Sequence, residues 1–232
     1  MKHQCLVKVV GLAFCLAAAS VHAQYYSGEV YNPHDIGPYG RFDIGASVFQ
    51  NGQLNQFGGP VNRPVDYDVG FNFDAAFGYK FNKYLGADID FGVIGTQINS
   101  VPGFFTSNSY LDNVPFMANI TFFYPIPRTL IVPYIGGGAG GSFASFNTDG
   151  FGTSSAAVFG YESDVVFAWQ AFAGVRIKLN KKMSLGIGYK YFATQDESFT
   201  YPNASLGSPS LTVGFKGVQT HSAFITFQAL FW

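Results

Sequence analysis

From Val69 to Phe81 the chain alternates residue by residue, and its large apolar side chains all share one parity. Val69, Phe71, Phe73, Ala75, Phe77, Tyr79 and Phe81 fall on one face, while Gly70, Asn72, Asp74, Ala76, Gly78 and Lys80 fall on the other. A period of two sends successive side chains to opposite faces of a β-strand. Thirteen residues of it exceed the roughly 5–6 usual in soluble strands. They suit a tilted strand crossing a bilayer, which takes about 9–11 residues. A phenylalanine face turned to hydrocarbon and a glycine-and-charge face turned inward make a transmembrane barrel strand.

The pattern recurs, and parity predicts eight strands: 41–49, 69–81, 84–95, 114–124, 130–143, 165–179, 184–193 and 220–232. In the first, Phe42, Ile44, Ala46 and Val48 face out and Arg41, Asp43, Gly45 and Ser47 face in. In the sixth, Phe167, Trp169, Ala171, Ala173, Val175, Ile177 and Leu179 oppose Gln170, Gly174, Arg176 and Lys178. The last strand favours Ala223, Ile225, Phe227, Ala229 and Phe231 outside, with Trp232 breaking that parity. The fold class expected is an all-β, eight-stranded, antiparallel up-and-down transmembrane β-barrel.

Connection lengths sort by side. Asn82–Lys83, Pro125–Thr129 and Asn180–Met183 are short and carry turn formers or charge. The stretches Gln50–Asp68, Thr96–Asn113, Ala144–Asp164 and Thr194–Lys216 are long and rich in Gly, Ser, Asn, Thr and Pro. Outer-membrane barrels have short periplasmic turns and long external loops. A soluble β-sandwich, the competing reading, has no cause to sort its loops this way. Tyr39, Phe81, Tyr84, Tyr124 and Phe231 are expected at the periplasmic interface, where amphipathic rings favour the headgroup layer.

The N-terminus reads as a secretory signal over residues 1–23: Lys2 and Lys8, an 11-residue apolar run Val9–Ala19, then Val21-His22-Ala23 before a cut at Gln24. That run falls short of the about 20 residues a spanning helix needs. A lipoprotein reading at Leu12-Ala13-Phe14-Cys15 fails on the bulk of Phe14. Residues 24–38 lack alternation and are expected as a periplasmic arm or partial plug, leaving 39–232 for the barrel. Both cysteines, Cys5 and Cys15, leave with the signal, so no disulfide is expected. Lys2 and Lys8 leave too, so 11 Lys and Arg face 14 Asp and Glu. This weakly acidic balance without a basic run gives no reason to expect nucleic acid. Charged residues make up 12 % and aromatics 18 %, against about 25 % charged in ordinary globular domains.

Eight strands leave a lumen barely wider than its side chains. Parity places Arg41, Lys80, Arg176, Lys178 and Lys190 there, against Asp43, Asp68, Asp74, Asp88 and Asp90. A buried unpaired charge costs several kcal/mol, so mutual neutralisation is expected. The network reads as a structural polar core that blocks passage. Its alternative is a narrow gated pore lined by charge rings.

Enzyme and cofactor signals are weak. Gly136-Gly137-Gly138-Ala139-Gly140-Gly141 has the spacing of a dinucleotide loop, but that loop works only where it opens a helix. Glycine here makes room for lumen neighbours. Asp88 and Asp90 could hold a hard cation, but lumen Lys and Arg are the nearer explanation. A lipid-modifying hydrolase would need a histidine beside a serine and a carboxylate. His34 and His221 are the histidines left after the signal, and Asp196 and Glu197 lie in the loop before His221-Ser222. Neighbouring strand residues face opposite ways, so that pair forms no simple dyad. No cofactor, no metal and no catalysis are expected. Loop aromatics Phe57, Phe104, Phe105, Tyr110, Phe151, Phe159, Tyr161, Phe199 and Tyr201 suit protein contacts, or pack on one another.

Several stretches together resemble the small outer-membrane β-barrel family that includes opacity-like and OmpA-like porin proteins. They are Val132-Pro133-Tyr134-Ile135-Gly136-Gly137-Gly138-Ala139-Gly140, Phe172-Ala173-Gly174-Val175-Arg176-Ile177-Lys178-Leu179, Ser184-Leu185-Gly186-Ile187-Gly188-Tyr189-Lys190-Tyr191, and the closing strand from His221. The resemblance implies an eight-stranded barrel in the outer membrane of a Gram-negative-type cell. It also implies a terminal aromatic resembling the signal read by the barrel-assembly machinery. The chain ends Phe231-Trp232 where a terminal Phe is usual, and no peptidoglycan-binding domain follows. OmpA-type envelope anchoring is therefore not expected. The expectation is a monomer in outer-membrane lipid, with a structural and surface-contact role through four external loops that meet host or envelope proteins. A narrow porin is second and a lipid-modifying hydrolase third.

Overall fold

The computed structural model describes residues 36–50, 52–202 and 210–231. The expected signal segment, residues 24–35 of the expected arm with His34, and Trp232 lie outside the described residues. Thirteen strands are present: β1 Gly37–Phe49, β2 Gly52–Phe57, β3 Pro60–Tyr67, β4 Val69–Lys80, β5 Leu85–Ser100, β6 Phe105–Ser107, β7 Tyr110–Phe123, β8 Ile131–Gly152, β9 Ala157–Lys178, β10 Met183–Thr194, β11 Glu197–Tyr201, β12 Leu211–Phe215 and β13 Gln219–Leu230. Eight of them, β1, β4, β5, β7, β8, β9, β10 and β13, pair antiparallel in that order. The ring closes where β13 meets β1, from Tyr39↔Leu230 to Phe49↔Thr220. Closure satisfies the edge groups of first and last strands, which hydrocarbon could not.

The parities agree with the alternation. Ile44, Val69, Phe91, Phe116, Ile135 and Val165 lie exposed on the outer face. Arg41, Asp74, Asp90, Asn119, Gln170 and Thr226 are buried inside. β13 keeps one phase to its end, with Ile225 and Phe231 out and Thr226 and Gln228 in. Each short turn is fixed by a side chain. Asn82 Oδ1 accepts from the N–H groups of Tyr84 and Leu85 at 2.7 and 2.9 Å. Asn180 Oδ1 accepts from Lys182 and Met183 at 2.8 Å each. Thr129 Oγ1 donates to Ile126 O at 3.0 Å beside Arg128, whose φ is 61°.

Three expectations change. Gly37 and Pro38, expected in the arm, belong to β1 and pair with Lys80 and Tyr79. Tyr39, expected at the lipid interface, is buried in the lumen. It shares the parity of Arg41 and Asp43, and parity outweighs its position near the strand end.

The long connections also differ, because they are largely β-structure. β2 and β3 form a hairpin after β1, β11 and β12 another after β10, and β8 and β9 run on for 22 residues each. The reason is a reversal of polarity within unbroken strands. Within the barrel wall the apolar parity faces out. Beyond it, Ile94 and Ile98 of β5, Leu111 of β7 and Ala144 and Phe146 of β8 are buried inside. Their neighbours Asn99, Asn147 and Asp149 are exposed. A strand leaving hydrocarbon for water must turn its polar side outward to keep a core.

Phe91 lies on the lipid face of β5, opposite Ala75 and Phe116. Phe91→Arg is expected to cost about 2–4 kcal/mol of stability in the bilayer. Urea titration of protein folded in phosphatidylcholine vesicles checks it.

Candidate functional site

The lumen is filled in tiers, and the middle tier is a hydrogen-bonded belt around Arg41. Its guanidinium reaches Asp88 Oδ2 through Nη1 and Asp90 Oδ2 through Nη2, each at 3.2 Å. Nε stands 3.1 Å from Asp43 without hydrogen-bond alignment, so that contact is purely ionic. Tyr39 donates to Asp88 at 2.6 Å. Asn119 Nδ2 donates to both Asp88 and Asp90 at 2.8 Å. Gln170 Nε2 donates to Asp90 at 2.9 Å and to Asn119 at 2.8 Å. Lys190 pairs with Asp74, to which Asn72 also donates.

Small residues let these side chains reach across intervening strands. Gly78 on β4 stands between Tyr39 and Asp88, and a Cβ there would press on both. Gly138 on β8 stands between Asn119 and Gln170, and a side chain would strike the Asn119 amide. The glycine run of β8 thus lies in mid-wall and opens no helix. It serves room, as the sequence suggested, and a dinucleotide loop has no seat there.

Each predicted lumen charge has a definite place. Arg41, Asp43, Asp74, Asp88, Asp90 and Lys190 form the two clusters just described. Lys80 and Arg176 are buried at the short-turn end, and Lys178 is half-buried at the rim there. Asp68 is elsewhere. It has lumen parity, but it sits exposed between β3 and β4 above the lumen, its N–H donating to Gln97 O at 3.0 Å. Parity gives a side, not a height. Sequence reasoning missed Tyr39 and the linking role of Asn119 and Gln170; the amides' signal was a neutral hydrogen-bonding group on the inward parity.

Above the belt lies an apolar roof. Phe49, Ile94, Met117, Phe146, Phe151, Phe192, Phe199, Val213 and Phe215 are among its buried members, drawn from the wall and all four external connections with Leu54 and Val65. Phe146 meets the rings of Phe151 and Phe215 at 5.2 Å each. Of the loop aromatics, Phe151, Phe199 and Tyr201 are buried here, and Phe57 and Phe104 pack against it. Phe105, Tyr110, Phe159 and Tyr161 remain exposed. Between belt and mouth the lumen encloses a cavity of about 10 Å³, the scale of one water.

One carboxyl is folded into this roof. Glu197 of β11 is buried, accepting from Thr194 Oγ1 at 2.9 Å and Asn113 Nδ2 at 3.2 Å. Burial pushes its pKa up to about 7, opposed by those two hydrogen bonds. His221 and Ser222 face opposite ways. Ser222 bonds Ser47 inside at 2.7 Å, while His221 meets Gln50 and Tyr189 outside.

Arg41→Met leaves three carboxylates around an apolar stem. It is expected to cost about 3–5 kcal/mol, read by urea unfolding in vesicles. The Glu197 pKa is raised in the folded protein, so its docking is fully present below the ordinary carboxyl range and is lost as pH rises through about 7. Between pH 5 and pH 8, β11 amide exchange corrected for intrinsic rate should rise more than about tenfold. Glu197→Gln should flatten that dependence.

In sequence, residues 11–217 match the family described as outer membrane protein beta-barrel domain. No curated protein matches the chain. In structure it is similar to Neisserial surface protein A, at 15 % identity, TM-score 0.52, covering 84 % of this chain and 97 % of that one. It is similar to the outer membrane protein OprG from Pseudomonas aeruginosa, at 14 % identity, TM-score 0.54, covering 83 % and 95 %. It is also similar to the outer membrane protein AlkL, at 18 % identity, TM-score 0.50, covering 89 % and 95 %. These likenesses are of fold alone. With a closed ring of eight strands, an apolar outer face and a family match across most of its length, the chain belongs to the outer-membrane β-barrel protein family.

Proposed function

We propose that this protein is a non-enzymatic, closed-lumen barrel that supports the outer membrane and makes contacts at the cell surface through its external loops. The observation that carries the reading is the apolar roof. Side chains from all four external connections meet above the charged belt and bury one another. Apolar packing of that kind stabilises closure, because opening would return those rings to water.

The loops also present a surface. Tyr110 and Tyr161 flank Asn147 on neighbouring strands, and Phe105 and Phe159 flank Gly150 beside them. All four rings are exposed. Aromatics set among Asn, Ser and Gly favour adaptable protein contacts, so an envelope or host protein is the partner class this patch fits. The narrow porin is the competing reading, and the filled lumen weighs against it.

Planar-bilayer recording of refolded protein separates the two. The closed-lumen reading expects a flat baseline, and a steady open level with defined unitary conductance would replace it with the porin.

A further inference from the structure

On the outer wall of the external extension, three strands bring their side chains into one row. Tyr110 of β7 pairs with Asn147 of β8, and Asn147 pairs with Tyr161 of β9. All three are exposed and share the outward parity of Val114, Phe143 and Val165. Neighbouring strands lie about 4.8 Å apart, so the two tyrosines rise about 10 Å from each other, on either side of a shorter side chain. The result is an open slot with an aromatic wall on each side and an amide for its floor. Carboxylates stand at its ends. Asp149 lies two residues beyond Asn147 on the same face of β8, and Asp112 lies between Tyr110 and the lipid-facing Val114 on the same face of β7. Asp149 Oδ2 accepts from Asn108 Nδ2 at 2.8 Å. Among the described residues neither carboxylate is in an ion pair.

The charge around the slot has one sign. Residues 95–113 and 144–167, which build this wall, contain Asp112, Asp149, Glu162 and Asp164 and no Lys or Arg. Exposed rings gain from a cation over their faces, and exposed carboxylates gain from a counter-charge. A guanidinium meets both needs, because it is flat enough to lie between two rings and presents donors along its edge. An ammonium is a compact, strongly hydrated point charge and meets only the second. The same carboxylates repel anionic lipid headgroups, which favours a protein side chain over the surrounding lipid.

We propose that this row docks an arginine side chain of a protein partner, with Tyr110 and Tyr161 stacking on the guanidinium and Asp149 and Asp112 supplying counter-charge. The inference rests on the surface-contact reading above and names the chemistry of that contact. The test is NMR of the protein refolded into phosphatidylcholine nanodiscs and titrated with a short peptide of alternating glycine and arginine. The Tyr110 and Tyr161 ring resonances should shift saturably, and the peptide's arginine Hδ protons should move upfield between the rings. The lysine counterpart should bind about fivefold more weakly. Tyr110→Ser with Tyr161→Ser should weaken arginine binding about tenfold, whereas Tyr110→Phe with Tyr161→Phe should retain it. Equal affinity for the two peptides, no upfield shift, or a titration unchanged in the serine double variant overturns the slot. So does a neutral oligosaccharide that moves both ring resonances where the arginine peptide does not. An open conductance in planar bilayers would remove the closed lumen and leave this titration standing. Loss of arginine binding beside a flat baseline would remove the slot alone.

Discussion

In hydrocarbon a backbone N–H or C=O without a partner costs several kcal/mol, and this one constraint governs the rest of the molecule. A sheet can meet it only by closing, so β1 must find β13, and the eleven register pairs between them complete the ring. Once closed, the alternating parity leaves no freedom: one side chain in two faces lipid, and the other enters a lumen eight strands wide. The inside is then a packing problem. Arg41, Asp88 and Asp90 are buried from bulk solvent, and they solve the problem on one another.

That solution depends on small residues as much as on charged ones. The Tyr39–Asp88 and Asn119–Gln170 contacts each pass over a strand whose inward residue is glycine. Neutral amides then bridge the two aspartates that one guanidinium must hold. The outcome is an axial order: Lys80 and Arg176 over aromatic rings at the short-turn mouth, balanced pairs in the middle, phenylalanines under the loops. Each layer suits its surroundings, and the closed-lumen role proposed above draws on the apolar layer under the loops.

Strand number, parity and the side of the short turns were legible because each rests on a period of two that lipid makes unforgiving. The β8 glycines illustrate the limit. Their inward parity was plain, but only the register places Gly138 between Asn119 and Gln170. Asp68 shows the same limit, having the right parity at the wrong height. The roof was legible only in part. Loop aromatics packing on one another were one of two readings, and Phe57, Phe104, Phe151, Phe199 and Tyr201 do so. Gly, Ser and Asn around Phe146 and Phe151, however, read as loop composition and hid the strands that carry it. A trace of it was nonetheless present: in 144–149 the apolar residues change sides while the alternation continues. That switch marks where the outer face of the strand turns polar, and it was the unread signal.

The closure of β1 on β13 is the claim everything else requires. Cross-strand amide and Hα contacts from NMR of the protein in lipid bilayers test it directly. Contacts between Arg41 and Gln228 and between Ile44 and Ile225, with slow amide exchange along both strands, are the expected result. Absence of those contacts, with fast exchange along either strand, would mean an open sheet and would contradict the account.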